Sequence, residues 1–215
     1  MDESAKQRTR WTELLVEGIA ALVLSIAALL TSWASFQAAL WDGEQAAAYT
    51  QAGAARVRAG LLATENGQVE AVDMFLFTQW LNARAEGKNK LEAFYRARFR
   101  PEFSKQFEHW LTFHPEDNPA APPTPFAVKG YRTHFAVEAQ WMDKKADALF
   151  DKGQRANSIS DAFVRATVIL AIALFLGGIG QTFKRHFARF LLSGLACLAC
   201  IVGLLSLTSL PKLAL

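Results

Sequence analysis

Few residues in this chain are of types and spacings that do chemistry, and each has a plainer alternative. Cys197 and Cys200 form a C-x-x-C pair, the spacing of redox dithiols and of half a zinc site. They are surrounded by Leu, Ala and Ile, with no basic neighbour to favour a thiolate and too few further ligands for a metal. His109, His114, Glu116 and Asp117 are the one metal-like group, but a spacing of five sets the two histidines on different helix faces. Gly177-Gly178-Ile179-Gly180 imitates a glycine-rich phosphate loop inside an apolar run, where small residues serve close helix packing. Gly-x-Ser-x-Gly, His-Glu-x-x-His and phosphate-loop patterns are all absent from the sequence. The expectation is a non-enzyme, with no catalytic residue, no metal and no cofactor.

Two polar groups remain as candidate interaction residues. Trp41, Glu44 and Gln45 stand just beyond an apolar run, with Trp41 placed as an interfacial anchor and Glu44 and Gln45 able to hydrogen-bond near Arg155 and Asn157. Arg96 and Arg100, with Arg98 and Lys105, form a basic run among aromatic residues that could hold an anionic headgroup or envelope polymer. Glu92, Glu102 and Glu108 lie close by, so a charged solvated face over a buried aromatic one accounts for the same pattern.

The elements that must position these residues are set by where the apolar residues fall. Of 215 residues 52% are hydrophobic and 20% charged, above the usual apolar share of roughly 45–50%, and the excess gathers at the two ends. Three segments reach the ~20 apolar residues that cross a bilayer: 14–36, 161–183 and 190–210. The net charge of +3 is too small and dispersed for a nucleic-acid partner. Lys6, Arg8 and Arg10 before the first span, and Lys184, Arg185 and Arg189 in the short link at 184–189, set both flanks in the cytoplasm. Residues 1–13 are then cytoplasmic, and 37–160 and 211–215 extracytoplasmic. The first apolar run is longer than a cleaved signal's core of about 7–15 residues, so a retained span is expected.

Beyond the first span, Trp41, Gln45, Ala48, Ala52, Ala55, Ala59 and Leu62 recur at spacings of three and four, a helical seam made mostly of alanine. Met142, Ala146, Leu149, Gly153 and Ala156 form a second seam leading to Phe163. The spacing predicts two antiparallel stems, 37–66 and 131–161, with a break at Asn66-Gly67. Past it a stripe from Val69 to Ala83 predicts a helix ended by Gly87, then another helix from Leu91 to Phe113 kinked at Pro101. Five prolines from Pro115 to Pro125 predict an ordered, non-helical connection. The fold expected is an all-α membrane protein with three transmembrane helices and an extracytoplasmic helical domain on two long antiparallel stems.

Three stretches carry a family resemblance: Trp41-Asp42-Gly43-Glu44-Gln45-Ala46; Phe77 to Ala83 with Phe94-Tyr95-Arg96 and Arg98 to Phe103; and Asn118 to Phe126. Together they resemble a group of bacterial three-span inner-membrane proteins with a W-x-G-E-Q-A motif after the first span and no assigned activity. The resemblance implies a bacterial inner membrane and nothing catalytic. The expected function is structural or interactive, self-assembling or partnered by an envelope protein, with the lipid bilayer as a further partner. The alternative is an oligomeric channel or transport accessory subunit, for which Ser25, Thr31, Ser193, Ser206 and Thr208 would line the path.

Overall fold

The computed structural model describes residues 3–183 and 185–214, with side chains at Trp11 and from Glu17 onward. Lys184 and the side chains of Lys6, Arg8, Arg10 and Glu13 lie outside the described part. All the regular structure among the described residues is helical: α1 (Glu3–Ala85), α2 (Asn89–Arg96), α3 (Pro101–Leu111), a 3₁₀ turn at Pro125–Ala127, α4 (His134–Gly180) and α5 (His186–Thr208). Three of them, α1, α4 and α5, are long and apolar enough to cross a membrane.

The lengths follow from where proline is absent. All seven prolines lie between 101 and 125 or at 211, so α1 and α4 lose no backbone donor along 83 and 47 residues. The expected break at Asn66-Gly67 does not occur, because α1 continues through both residues. A helical glycine costs only about 1 kcal/mol against alanine, and Asn66 is used within the helical context. Its amide donates to Glu70 Oε1 at 3.1 Å, and its carbonyl oxygen accepts from the Thr133 hydroxyl.

α1 ends instead at the predicted glycine. Gly87 takes φ +69°, its N–H donates to Arg84 O at 3.0 Å and the Lys88 N–H donates to Ala83 O at 2.9 Å, a Schellman ending. The single kinked helix expected over Leu91–Phe113 is two helices, α2 and α3. Arg100 is extended (φ −62°, ψ 152°), since the residue before a proline is pushed out of the helical region, and Pro101 then opens α3 at its first turn. At the other end of the chain α4 stops at Gly180, short of the expected 183, and α5 takes in His186–Arg189, which were expected as turn.

The helices pass through two compact units, Met1–Thr50 with Leu149–Leu215, and Gln51–Ala148. In the first unit the apolar segments of α1, α4 and α5 meet around Ala27, Ala34, Phe163, Leu170, Ala173 and Leu207. Small residues permit the approach: a Cβ on Gly177 would lie 2.8 Å from Leu24, one on Gly203 2.7 Å from Leu170, and one on Gly180 3.3 Å from Leu192. Gly178, expected to share this packing, faces open space. Arg189 donates to Glu17 at 3.0 Å at one end of these helices. At the other, Gln37 exchanges two hydrogen bonds with the Leu213 backbone and Trp41 Nε1 donates to Pro211 O. The chain therefore traverses this three-helix layer in alternating directions.

Both small-residue seams are buried: Ala48, Ala52, Ala55, Ala59 and Leu62 on α1, and Ala146, Gly153 and Ala156 on α4. In the first unit Ser160 donates to Ala38 O, Lys152 pairs with Glu44 at 2.9 Å, and a Cβ on Gly153 would fall 2.5 Å from the Tyr49 ring. In the second, Arg56 pairs with Asp147 at 2.9 Å and Arg58 with Glu138 at 3.8 Å. Within each unit, later residues of α1 meet earlier residues of α4. An Ala52→Leu substitution should therefore lower stability by ~1–3 kcal/mol through overpacking, read as a fall in thermal midpoint. The pair Ala52→Cys with Ala146→Cys should form an intramolecular disulfide, whereas Gly60→Cys with Ala146→Cys should not.

Candidate functional site

The second unit has an aromatic core whose construction leaves a cleft. Phe99, Phe103, Phe107 and Trp110 follow one face of α3 and its lead-in, and close on Phe77 and Trp80 of α1. Most of the contacts are edge-to-face, with centroids 4.8 Å apart for Trp80 and Phe107 and 5.5 Å for Phe77 and Trp110. That geometry is worth about 0.5–1.5 kcal/mol a pair beyond burial. The proline-rich segment has few backbone donors of its own and is fastened by side chains. Trp110 Nε1 donates to Pro122 O at 2.7 Å, and the buried Gln106 amide donates to Val128 O at 2.9 Å and Pro125 O at 3.3 Å.

Between the end of α1 and this segment lies a cleft of about 620 Å³, walled by Trp80, Leu81, Ala85, Trp110, Pro119 and Pro122, with Arg84 and Glu116 at its edge. Arg84 donates to Glu92 at 2.8 Å and to Glu116 at 2.5 Å, and its guanidinium sits 5.4 Å from the Trp80 ring centroid. The bond to Arg84 holds the Glu116 carboxyl below its ordinary range, and the two carboxylates hold Arg84 above its own. Trp80 Nε1 is buried without an acceptor, a state that costs about 1–3 kcal/mol. The cleft thus has apolar walls and a rim on which Arg84 and Glu116 are already paired.

Beside the aromatic core, Asp73 is completely buried on α1 and takes three donors. Arg100 reaches it through Nε at 3.1 Å and Nη2 at 2.5 Å, and the Tyr131 hydroxyl donates at 2.8 Å. Arg100, expected as an interaction residue, is therefore committed inside the protein; hydrogen bonding to Asp73 raises its already high pKa. Arg96 pairs with Glu108 at 2.7 Å and lies 5.7 Å from the Phe107 ring. Of the basic run, Arg96 and Arg100 are thus paired with carboxylates, while Arg98 donates to Phe94 O and lies over the Phe94 ring.

Trp41 and Glu44 do come together, in the other unit, in a cleft of about 410 Å³ shared with Lys152, Arg155, Ala156 and Ile159. Glu44 pairs with Lys152, not with Arg155 or Asn157; Asn157 donates to Asp161 on its own helix. Gln45 is half-buried on α1 and is not among the residues walling this cleft. Gln37, buried beside the C-terminal segment, was missed from the sequence, as was Asp73. A charged or amide residue on the buried face of an apolar periodicity was the available signal for both. His109 lies against Phe113, and among the described residues no three of His, Cys, Asp and Glu are grouped to hold a metal ion. Ser25, Thr31, Ser206 and Thr208 donate to carbonyls of their own helices.

No protein-family model matches this chain, and neither does any curated protein or solved structure.

Asp73→Asn should cost about 2–3 kcal/mol in denaturant unfolding, less than the ~3–5 of a fully enclosed pair because a quarter of the Arg100 side chain stays in solvent. Burial, with the Asp73 carboxylate second, pushes the Tyr131 phenol well above its ordinary range. The unfolded chain releases that proton near pH ~10 while the folded chain keeps it, so stability falls as pH rises past that point. Tyr131→Phe should show a smaller drop in thermal midpoint between pH about 9 and about 11.

Proposed function

We propose that this chain is a non-enzymatic, multi-pass protein of a bacterial inner membrane that works by binding other envelope components. Its N-terminus is cytoplasmic, residues 37–160 form an extracytoplasmic helical domain, and residues 37–66 and 131–161 are the antiparallel stems that carry it. The W-x-G-E-Q-A resemblance and the basic flanks support the location and orientation. Trp41, Lys152 and Arg155 lie where a headgroup would meet the emerging helices, with the lipid bilayer as partner.

The observation that carries the reading is the cleft at Trp80, Leu81 and Pro119. It is walled by apolar side chains and by prolines. An extended apolar segment of an envelope protein would fill its walls. Of the five hydroxyls expected to line a channel, Ser25, Thr31, Ser206 and Thr208 are bonded to their own helices and the Ser193 hydroxyl is buried without a partner, which favours the interaction role over the transport one.

Reporters fused after Glu86 and at His186 should read extracytoplasmic and cytoplasmic respectively. A photoreactive residue replacing Leu81 should crosslink a discrete envelope protein in intact cells, and the purified protein should carry no ion flux in liposomes. Reversed reporters would overturn the orientation. Flux, or a Leu81 position that captures nothing while the protein is folded, would overturn the binding role.

A further inference from the structure

The cleft at Trp41 lies wholly within the first unit, and hydrogen bonds on either side of it fix its height on the helices. Residues 18–40 of α1 carry no charge and run about 34 Å at 1.5 Å per residue, close to the ~30 Å of a bilayer's hydrocarbon. Glu17 and Arg189 pair at one end of that run. At the other, Ser160 donates to Ala38 O at 3.1 Å and Lys152 pairs with Glu44 at 2.9 Å, so Arg155 stands level with Trp41 and Asp42. At that turn α1 first regains charge. Headgroups occupy about 5–7 Å beyond the hydrocarbon on each side of a bilayer, so they reach this level whichever way the chain is inserted.

Trp41, Ala156 and Ile159 form the apolar part of the cleft, with Glu44, Lys152 and Arg155 beside them. Trp41 and Ile159 pack against the core of the three-helix layer, and the Trp41 indole N–H donates to Pro211 O at 3.2 Å, which sets the position of the ring. Lys152 and Glu44 neutralise each other, and Asp161 accepts from Asn157. Arg155 is exposed and, among the described residues, has neither a carboxylate nor a hydrogen-bond partner. The cleft of about 410 Å³ therefore carries one uncompensated positive charge beside apolar surface.

We propose that this cleft holds one anionic phospholipid, its phosphodiester on Arg155 and the start of an acyl chain along Trp41, Ala156 and Ile159. A guanidinium presents parallel N–H donors that match two phosphate oxygens at once. The single charge of a phosphodiester balances the one that Glu44 and Lys152 leave over. A zwitterionic headgroup would bring an ammonium beside Lys152 and leave the cleft's charge unbalanced. Free phosphate would satisfy Arg155 but leave the apolar walls uncovered. This site names the lipid class within the membrane reading proposed above and rests on that reading.

Native mass spectrometry of the full chain, released from phosphatidylcholine nanodiscs holding a minor share of phosphatidylglycerol, counts the lipids that stay bound. Phosphatidylglycerol should be retained over phosphatidylcholine, and Arg155→Ala should weaken that retention by about tenfold, the worth of a charge-assisted hydrogen bond. Arg155→Lys should restore part of it. Arg165→Ala, which removes a cation of the same helix outside the cleft, should retain lipid as the unsubstituted chain does, and millimolar inorganic phosphate should not displace the lipid. Arg155→Ala should also keep the thermal midpoint unchanged, because Arg155 has no partner in the chain to lose. Equal retention of the two lipids, equal loss in Arg155→Ala and Arg165→Ala, displacement by inorganic phosphate, or full retention in folded Arg155→Ala would each overturn the site. Alkaline carbonate tests the membrane reading separately. A chain stripped from native membranes by carbonate would overturn both, whereas an embedded chain whose lipid retention survives Arg155→Ala would overturn the site alone.

Discussion

The unbroken hydrogen-bond ladder of α1 is the constraint on which the remaining structure depends. One helix of 83 residues supplies the first apolar span, the alanine seam, the buried Asp73 and the Phe77–Trp80 floor of the aromatic core. Because a helix turns about 100° per residue, Asp73, Phe77 and Trp80 within the second unit share one face of it. Propensity alone does not sustain such a length. Within each unit it is sustained by α4 packing against it, where alanine and glycine keep the two backbones close and side-chain entropy costs are small.

The second unit solves a different problem, because its proline-rich segment contributes little regular hydrogen bonding. Gln106 and Trp110 hold that segment with side-chain donors, and Asp73 fixes the extended turn before Pro101 through Arg100. The Trp80 cleft lies between α1 and a segment pinned at Pro122, Pro125 and Val128. Aromatic packing and proline rings form the walls of the cleft.

Periodicity made the long elements legible and left the long-range pairings hidden. The spans, both small-residue seams and the Gly87 ending were visible because each depends on local spacing or on one backbone conformation. Asn66-Gly67 misled because its turn preference is weak beside a helix held by packing, and Asn66 found partners in Glu70 and Thr133. Leu91–Phe113 was read as one helix because the aromatic stripe crosses Pro101 without losing phase, although Arg100 had to leave the helical region. Nothing local announces that Gln37 meets Leu213, 176 residues away, or that Arg100 turns inward to Asp73. The cleft arises from a loop conformation that composition does not specify.

The most direct measurement is amide hydrogen exchange of the full protein in lipid nanodiscs, followed across residues 37–85. The account predicts continuous protection through Trp41-Asp42-Gly43 and through Asn66-Gly67, with fast exchange beginning only at Glu86-Gly87. A fast-exchanging break at either internal site would mean that span, seam and aromatic core are separate helices, and would contradict it.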